Sequence, residues 1–351
     1  MAYTTIDNGE EHFNTILYTG DGSADNDITG VGFAPDFVWA KNRGAADAHW
    51  VLDSTRGATK GLYTNGNAAE NTQNHLISFD SDGFSVGNQA NGLNTSSNNY
   101  VAWNWKANGG TTTTNDASAT SVGTIDSVYQ ANTTAGFSIV TYTGTGSAGT
   151  IAHGLGATPK TYWIKRRSSG TADWYIYHSS IGATKNLRLN KTDALNTDSN
   201  IFNDTEPTSS VFSLGSSFSN TSSKDYVAYC FAEIKGYSKF GSYTANGNAD
   251  GPFIYMGFKP AFVIFKRTDG GTSAWQMHDR TRETVNDGSS PALKPNQSDA
   301  EFSKNVDFLS NGIKIRDTSS DLNGSADQEY IYIALAEHPF VSSKGVPVTA
   351  R

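Results

Sequence analysis

The amino-acid sequence predicts an all-β protein: three tandem antiparallel β-sandwich domains of the jelly-roll or lectin-like kind, with almost no helix. Three observations predict this fold. Apolar and polar residues alternate over short stretches with the period of two that half-buried strands have. Glycine, serine, threonine and asparagine are plentiful between these stretches, which favours many turns. The same order of stretches also occurs three times along the 351 residues, which indicates a repeated unit.

A strand entered through a proline is the clearest of the repeated stretches. In each copy a lysine follows the proline by six residues, and a tryptophan follows that lysine by nine. The copies read FAPDFVWAK at 33–41, ATPKTYWIK at 157–165 and KPAFVIFK at 259–266; the lysines are Lys41, Lys165 and Lys266, and the tryptophans are Trp50, Trp174 and Trp275. A spacing kept three times indicates an element of a shared scaffold.

An opening strand and a closing strand complete each copy. The opening strands read FNTILYTGDG at 13–22, FSIVTYTGTG at 137–146 and YSKFGSYTANG at 237–247, and the closing strands read YVAWNWK at 100–106, YVAYCFA at 226–232 and YIYIALA at 330–336. In YVAYCFA the larger side chains are predicted to share one face and the small ones the other. The closing strand is therefore expected at the centre of its sheet, with both faces covered.

The repeats predict the domain organisation. Domains are expected at 1–107, 137–236 and 237–340, with a C-terminal tail at 341–351. The segment 108–136 is polar and of low complexity, so it is expected to be a flexible linker. The second and third copies meet directly at EIKGY (233–237), and they are expected to pack as a rigid pair.

The lysine and tryptophan spacing predicts a hairpin around the loop 44–47 and its counterparts. In such a hairpin the lysine and the tryptophan of each copy lie opposite each other, about 5 Å apart. The lysine stem then covers the indole, with a cation–π contribution of about 0.5–1 kcal/mol where the pair is exposed. Tryptophan platforms also bind sugars, so a ligand-binding role stays open beside the scaffold role. The connecting loops differ between copies, and any specificity is expected there.

Composition and charge exclude several classes of function. The formal net charge is −8 and the longest basic run is Lys165 to Arg167, so no nucleic-acid partner is expected. One cysteine, Cys230, leaves no intramolecular disulfide. The N-terminal stretch has neither a basic segment nor an apolar segment, so no signal peptide is expected. The sequence contains no apolar run long enough for membrane insertion.

Several motifs match the sequence pattern of a known binding site but lack the neighbouring elements that such a site needs. GTGSAG at 144–149 follows a strand but precedes no helix, so it is predicted to be a turn rather than a dinucleotide site. The hairpin residues 80–83 lack the later ligands of a calcium loop. The histidines are scattered, and no carboxylate pair or nucleophile motif indicates an enzyme. No catalytic residue, metal ligand or cofactor is predicted, and ligand-binding residues stay unassigned. Asn-x-Ser/Thr triplets, the pattern of N-glycosylation sites, occur at Asn94, Asn132, Asn203 and Asn220. They are interpreted as by-products of a composition rich in asparagine, serine and threonine.

A resemblance adds to this picture. FNTILYTGDG, GVGFAPDFVWAKNR, YVAWNWKANGG, ANTTAGFSIVTYTGTG and AHGLG resemble the tandem lectin-like, or concanavalin-like, repeats of virion structural and tail-fibre proteins from marine tailed bacteriophages. The resemblance covers nearly the whole chain and is weakest in the third copy. The closing strand of that family often carries a cysteine, which Cys230 keeps and Asn104 replaces. The resemblance implies a β-sandwich protein on the virion exterior and supplies no catalytic residues.

The expected function is therefore that of a non-enzymatic virion structural protein, made in the host cytoplasm and placed on the outside of a tailed phage. One role is a tail-fibre or receptor-binding component that holds host surface glycans weakly. The alternative is a capsid-decorating or head-fibre protein that acts through subunit contacts. In either role the expected partners are other virion proteins, and the protein is expected to be a homo-oligomer within the virion. A polysaccharide-degrading enzyme is a third class. The three copies are also proposed to mimic a trimer within one chain, which would suit a threefold or sixfold position.

Overall fold

Strands make up 42 % of the protein and helix 3 % in the computed structural model, so the predicted all-β class is confirmed. The structure describes residues 3–348. A short 3₁₀ turn, Gly9–Glu11, precedes the first strand, and the side chain of Asn8 caps this turn by accepting a hydrogen bond from the Glu10 N–H. The strands of the first repeat are β1 (Phe13–Thr19), β2 (Asn26–Thr29), β3 (Phe37–Asn42), β4 (Trp50–Asp53), β5 (Lys60–Tyr63), β6 (Asn71–Thr72), β7 (Leu76–Asp80), β8 (Gly83–Val86) and β9 (Asn99–Trp105).

The other two repeats follow the same plan. The segment after β9 and the second repeat contain β10 (Thr113–Asn115), β11 (Ser127–Asn132), β12 (Phe137–Thr143), β13 (Gly149–Ala152), β14 (Pro159–Arg166), β15 (Tyr175–His178), β16 (Lys185–Arg188), β17 (Asn196–Thr197), β18 (Val211–Leu214) and β19 (Asp225–Ala232), with the short helices α1 (Ala117–Thr120) and α2 (Ser199–Phe202). The third repeat contains β20 (Ser238–Thr244), β21 (Phe253–Tyr255), β22 (Phe258–Arg267), β23 (Gln276–Asp279), β24 (Ser290–Ala292), β25 (Phe302–Lys304), β26 (Val306–Leu309), β27 (Gly312–Ile315) and β28 (Glu329–Pro339).

Each repeat has an inner and an outer antiparallel sheet. The inner sheets share one strand order, β1-β9-β3-β4 in the first repeat, β12-β19-β14-β15 in the second and β20-β28-β22-β23 in the third. The outer sheets are β2-β8-β7, β13-β18 and β21-β27-β26. The closing strand thus lies between the opening strand and the proline strand in every copy. Its side chains are buried on both faces, as predicted.

The segment 108–136 differs from the prediction of a flexible linker. Its strands β10 and β11 pair with each other, and β11 pairs with β12, so the segment extends the inner sheet of the second repeat. The buried carboxylate of Asp36 accepts hydrogen bonds from the N–H groups of Ala107, Gly109 and Gly110 at 2.7–2.9 Å. The prediction was wrong because it counted apolar groups only. This polar chain is ordered by backbone hydrogen bonds and by two buried acceptors, Asp36 and Gln130.

One hydrophobic core joins the inward faces of all three inner sheets. The ring centroids of Trp39 and Trp163 lie 5.8 Å apart across the boundary between the first and second repeats. Across the boundary between the first and third repeats, the rings of Phe13 and Phe262 lie 5.3 Å apart. The second and third repeats meet in the same cluster, where the rings of Phe231 and Phe240 lie 6.4 Å apart. The repeats are therefore not separate sandwiches. The second and third repeats do not form a pair apart from the first, because all three share one core.

Equivalent contacts close the three repeats into a ring. Arg167 of the second repeat forms an ion pair with Glu70 of the first at 2.9 Å, and Arg43 of the first forms one with Glu301 of the third at 2.7 Å. At the remaining boundary the Leu195 N–H donates to the Thr268 carbonyl at 3.1 Å. Each repeat uses the residues just after its proline strand for this contact. The repeats thus lie around one core with an approximate threefold relation, rather than in a line.

The shared core predicts that no repeat folds alone. A fragment spanning 137–236 would expose the inward face that Trp163 and Tyr229 share with the other repeats, so it should lack the near-ultraviolet circular dichroism of packed aromatic rings. The intact chain should unfold in one denaturant transition, with the same midpoint in the near-ultraviolet and far-ultraviolet circular dichroism. A fragment that unfolds cooperatively on its own would contradict the shared core.

Candidate functional site

The three repeated lysines are buried beneath their hairpin loops. Lys41, Lys165 and Lys266 are at most 1 % exposed, and each ammonium group donates to two backbone carbonyls. One acceptor lies in a neighbouring repeat in two copies, namely Asn67 for Lys165 and Thr192 for Lys266. Burial lowers the pKa of Lys165 to about 7 and the pKa values of Lys41 and Lys266 to about 8. These lysines fasten loops and repeat boundaries together.

Two of the three tryptophans also form hydrogen bonds across the repeat boundaries. The indole N–H of Trp174 donates to the Tyr63 carbonyl of the first repeat at 3.0 Å. The indole N–H of Trp275 donates to the Arg188 carbonyl of the second repeat, also at 3.0 Å. Both side chains are at most 1 % exposed. Their ring faces are therefore covered by protein and do not form an open platform for a sugar.

The first copy departs from the predicted pairing of lysine and tryptophan. In its hairpin Ala40 pairs with Trp50, whereas Ile164 pairs with Tyr175 in the second copy. The loop of the first copy is one residue shorter, and a shift of one residue turns a side chain to the other face of a sheet. Trp50 therefore belongs to the outer core of its repeat, beside His75, at 3.7 Å between ring centroids. Lys41 and Trp50 do not lie opposite each other.

The expected lysine–indole cation–π contacts are also absent from residues 3–348. The lysine cation–π contacts found there join Lys106 to Phe33, Lys235 to Tyr3 and Lys294 to Phe302. The physical reason is that each buried ammonium is drawn to carbonyl oxygens, which solvate a cation better than a ring face does. The lysine is therefore a buried hydrogen-bond donor.

A position that sequence reasoning missed joins the repeats through buried polar groups. Asp53, His178 and Asp279 are the last residues of β4, β15 and β23, and they occupy equivalent sites in the three repeats. Asp53 accepts from the Tyr229 hydroxyl of the second repeat at 2.7 Å, and Asp279 accepts from the Trp103 indole of the first at 3.0 Å. The third repeat has Ile333, which has no donor, at the place of Trp103. There, His178 donates instead to the Tyr332 carbonyl at 3.2 Å.

A buried asparagine fixes the loop before each closing strand. Asn94, Asn220 and Asn323 are at most 1 % exposed. Each side-chain oxygen accepts from a backbone N–H in the turn after the opening strand, at 2.8–2.9 Å. Each side-chain nitrogen donates to a carbonyl in that same turn, at 2.6–2.9 Å. The triplets at Asn94 and Asn220 are therefore parts of the scaffold, and their repeated position before the closing tyrosine was the signal that could have shown it.

A stacked tyrosine pair supports the same loops. The ring centroids of the pair lie 5.0–5.1 Å apart in every repeat. The pairs are Tyr18 with Tyr100, Tyr142 with Tyr226 and Tyr243 with Tyr330. The first tyrosine of each pair donates its hydroxyl hydrogen to a carbonyl beside the buried asparagine. The loops before the closing strands are thus held by the same buried contacts in all copies.

The motifs that resemble binding sites form hydrogen bonds within turns and hairpins of the protein. Gly146, within GTGSAG, donates its N–H to the Asn220 carbonyl at 2.8 Å in a turn between β12 and β13. In the hairpin between β7 and β8, Asp82 accepts from the N–H groups of Gly30 and Gly32, and Asp80 accepts from serine hydroxyls. Within residues 3–348 no group of three His, Cys, Asp or Glu side chains is arranged to hold a metal ion. Burial raises the pKa of the Cys230 thiol, so the thiolate is disfavoured.

An open cleft lies beside the hairpin loop of the second repeat. We call it the loop cleft; its volume is about 400 Å³. It is lined by Asn67 of the first repeat and by Arg166, Thr171, Ala172, Asp173, Tyr175, Ser217, Phe218 and Thr221 of the second. Phe218 is 51 % exposed there. A second cleft, of about 260 Å³, lies between the first and third repeats beside Phe13, Lys259 and Arg280.

One family model covers the three repeats of the ring. It is described as "Domain of unknown function (DUF7483)" and matches residues 8–339. The match extends from the 3₁₀ turn before β1 to the last residue of β28. No curated protein and no solved structure matches the chain. Within the described residues, no helix is long and apolar enough to cross a membrane.

Removing a buried asparagine should destabilise the protein. Asn220→Ala deletes the acceptor of the Thr145 N–H and the donor to two carbonyls, Ser147 and Gly215. Because these groups stay buried, we expect a loss of about 1–3 kcal/mol in the free energy of unfolding, measured by urea titration. The matched control is Asn196→Ala, an exposed residue of β17, which should change stability little. Equal losses in both variants would contradict the role of Asn220.

His178 should make the three-repeat assembly sensitive to acid. The His178 imidazole is buried and neutral, because it donates to one backbone group and accepts from the Ser180 N–H. Burial lowers its pKa to about 4. A folded pKa below the unfolded value of about 6.5 gives stability that is complete above pH 6.5 and is lost as the pH falls toward 4. The loss amounts to about 3 kcal/mol.

The test compares His178→Gln with the parent chain by urea unfolding at several pH values. Glutamine can still donate to the Tyr332 carbonyl but does not titrate, so the variant should lose less stability between pH 6.5 and 4. His338→Gln, at a partly exposed residue, is the control and should follow the parent chain. Parallel pH profiles for His178→Gln and the parent would refute this assignment.

Proposed function

The chain belongs to the DUF7483 family, and from its three-repeat ring we propose that it is a non-enzymatic structural protein on the exterior of a tailed-phage virion, of the tail-fibre or receptor-binding type. The observation that carries the proposal is the closure of three equivalent repeats on one core. Such a body is rigid, and it holds variable hairpin loops at fixed positions around one approximate axis. Rigid scaffolds with variable loops are a common design for binding proteins.

The use of the repeated residues supports a scaffold rather than a catalyst. The repeated lysines and two of the three tryptophans, with Asp53, His178 and Asp279, form buried contacts within the ring and across its boundaries. Catalytic groups must face a site that a substrate can enter. What is kept in every copy therefore serves assembly, and what varies lies in the loops.

The approximate threefold relation suits attachment to a symmetric partner. A body with three equivalent edges can match a threefold or a sixfold position in a virion, where a single chain would take the place of a trimer. Several chains displayed on one particle would raise the avidity of weak loop contacts with host surface glycans. Other virion proteins are thus the proposed partners at one side of the ring, and host glycans at the loops.

A capsid-decorating or head-fibre role is the second candidate. The same threefold relation favours it, because capsid lattices contain many threefold and sixfold positions. In that role the ring would act through contacts with capsid subunits, and the loops would have no ligand of their own. The location of the chain in the particle separates the two candidates.

Cryo-electron microscopy of the intact particle, with mass spectrometry of the same purified particles, tests the proposal. Density that fits the ring at the tail periphery supports the receptor-binding role, and density on the capsid lattice supports decoration. Absence of the chain from purified particles that retain their major capsid protein would overturn both roles. Release of reducing sugar from host polysaccharide by the purified chain would indicate an enzyme instead.

A further inference from the structure

We propose that the loop cleft of the second repeat is a saccharide-binding site that holds one or two sugar rings against Phe218. The inference deepens the proposed function and rests on it for the source of the saccharide, the host surface. It arises from a comparison of the three copies. Each repeat has the same two loops at this position. In the second repeat they border an open cleft with an exposed aromatic ring, Phe218, where the other two repeats have Gly92 and Asp321.

The third repeat shows how the two loops can be bonded to each other. There, Asp321 stands at the position of Phe218, and Gln276 stands at the position of Tyr175. The Gln276 amide donates to Asp321 at 3.0 Å, and Asp321 also accepts from Ser273 and Ala274 of the hairpin loop. Four groups thus join the hairpin loop to the loop before the closing strand.

The first repeat joins the same loops in another way. Trp50 stands at the position of Tyr175, and its indole N–H donates to the Asn91 carbonyl at 3.4 Å. The residue after Asn91 is Gly92, at the position of Phe218, so no side chain stands at that point. At this position two of the three copies therefore have a hydrogen bond that ties the two loops together; the second copy joins its loops elsewhere, where the Lys224 ammonium donates to the Ser169 hydroxyl at 3.4 Å. In the second copy the rings of Tyr175 and Phe218 lie 5.9 Å apart and border the cleft.

Phe218 is poorly explained by the fold. Its side chain is 51 % exposed, and its backbone has a φ of +39°, a conformation that favours glycine over a bulky residue. The corresponding residues of the other copies are glycine and aspartate, so the scaffold does not need an aromatic ring there. An exposed aromatic residue held at a conformational cost at the mouth of a cleft indicates a ligand.

The polar groups around Phe218 fit a saccharide. The Asp173 carboxylate already accepts from Asn190 and Arg188, and its remaining lone pairs can accept from hydroxyl groups. The exposed side chain of Asn67 can both donate and accept.

Arg166 donates to the Thr171 carbonyl and its Nε is buried, but the Nη hydrogens that this contact leaves unused can donate to a ligand. The Tyr175 hydroxyl forms no hydrogen bond within the described residues, so it can donate to a sugar oxygen. An aromatic face beside mixed donors and acceptors matches a sugar ring, which has apolar C–H faces and a rim of hydroxyl groups.

The size of the cleft agrees with this occupant. Small-molecule sites commonly have volumes of about 300–1,000 Å³, and the loop cleft, at about 400 Å³, lies at the lower end of this range. The cleft is also built from two repeats, since Asn67 comes from the first and the other lining residues come from the second. Closure of the ring therefore completes the site by adding Asn67 to its wall.

Saturation-transfer-difference NMR with the whole chain tests the inference. The probes are maltose, cellobiose, lactose, chitobiose and digalacturonate, each at millimolar concentration. We expect at least one of them to receive saturation from the protein, strongest at the C–H protons of one ring face. Phe218→Gly should weaken that binding by about tenfold. Glycine suits the backbone at this position, so the variant should remain folded.

A second variant keeps the test decisive. Phe218→Asp with Tyr175→Gln introduces the Gln276–Asp321 hydrogen bond of the third repeat, so it should close the cleft and abolish saturation transfer while the free energy of unfolding is kept. The control, Phe253→Asp with Tyr255→Thr, replaces the exposed aromatic pair of β21 by the residues found at the equivalent positions of β2, and it should bind like the parent chain.

Absence of transfer to all five disaccharides would overturn the inference, and so would equal binding by the Phe218→Gly variant. Either result leaves the proposed virion location untouched, because that location is measured on the particle. Conversely, saccharide binding by a chain that is absent from particles would keep the cleft assignment and refute the virion role. The two failures are therefore distinguishable.

Discussion

The burial of three aromatic sheet faces against one another is the constraint on which the rest of the structure depends. Each inner sheet has an outward face covered by its own outer sheet and an inward face that only the other repeats can cover. Burying a large aromatic side chain contributes about 2–3 kcal/mol, so an uncovered inward face would leave a repeat without much of its stabilisation. The ring is thus the smallest unit that satisfies all three sheets, and the family match spans the same unit.

Polar groups placed inside this apolar core fix how the repeats meet. An aspartate reaches a tyrosine hydroxyl at one boundary and an indole N–H at another, and His178 reaches a carbonyl where the facing strand offers Ile333 instead of a donor. A buried polar group without its partner costs more than a misplaced methyl group, so these contacts disfavour other orders of the three repeats. The polar pairs give the ring its specific arrangement, and the aromatic rings give it most of its stability.

The sequence predicted the strands, their order of appearance and the central closing strand, because alternation and repetition are local properties. It supported a trimer-like arrangement of the three copies only as a proposal and did not predict that they share one core, since a sheet face covered by an outer sheet and one covered by a neighbouring repeat have the same apolar pattern. The pairing of Lys41 with Trp50 was wrong for a similar reason: loop length decides register, and the tryptophan spacing hid a loop shorter by one residue. The loop cleft was invisible because it depends on Asn67 and Phe218, which lie far apart in the chain.

Covalent linkage of the three repeats has a consequence for how such a protein can change. In a trimer of identical chains every substitution appears three times, so a loop that opens a cleft weakens three boundaries at once. In the ring, Phe218 could replace an aspartate or glycine in one repeat while the others kept their bonded loops. The third repeat likewise has an exposed aromatic pair on β21 where the first has Asp27 and Thr29. A tethered ring can therefore explore a new surface one edge at a time, with the remaining edges as its support.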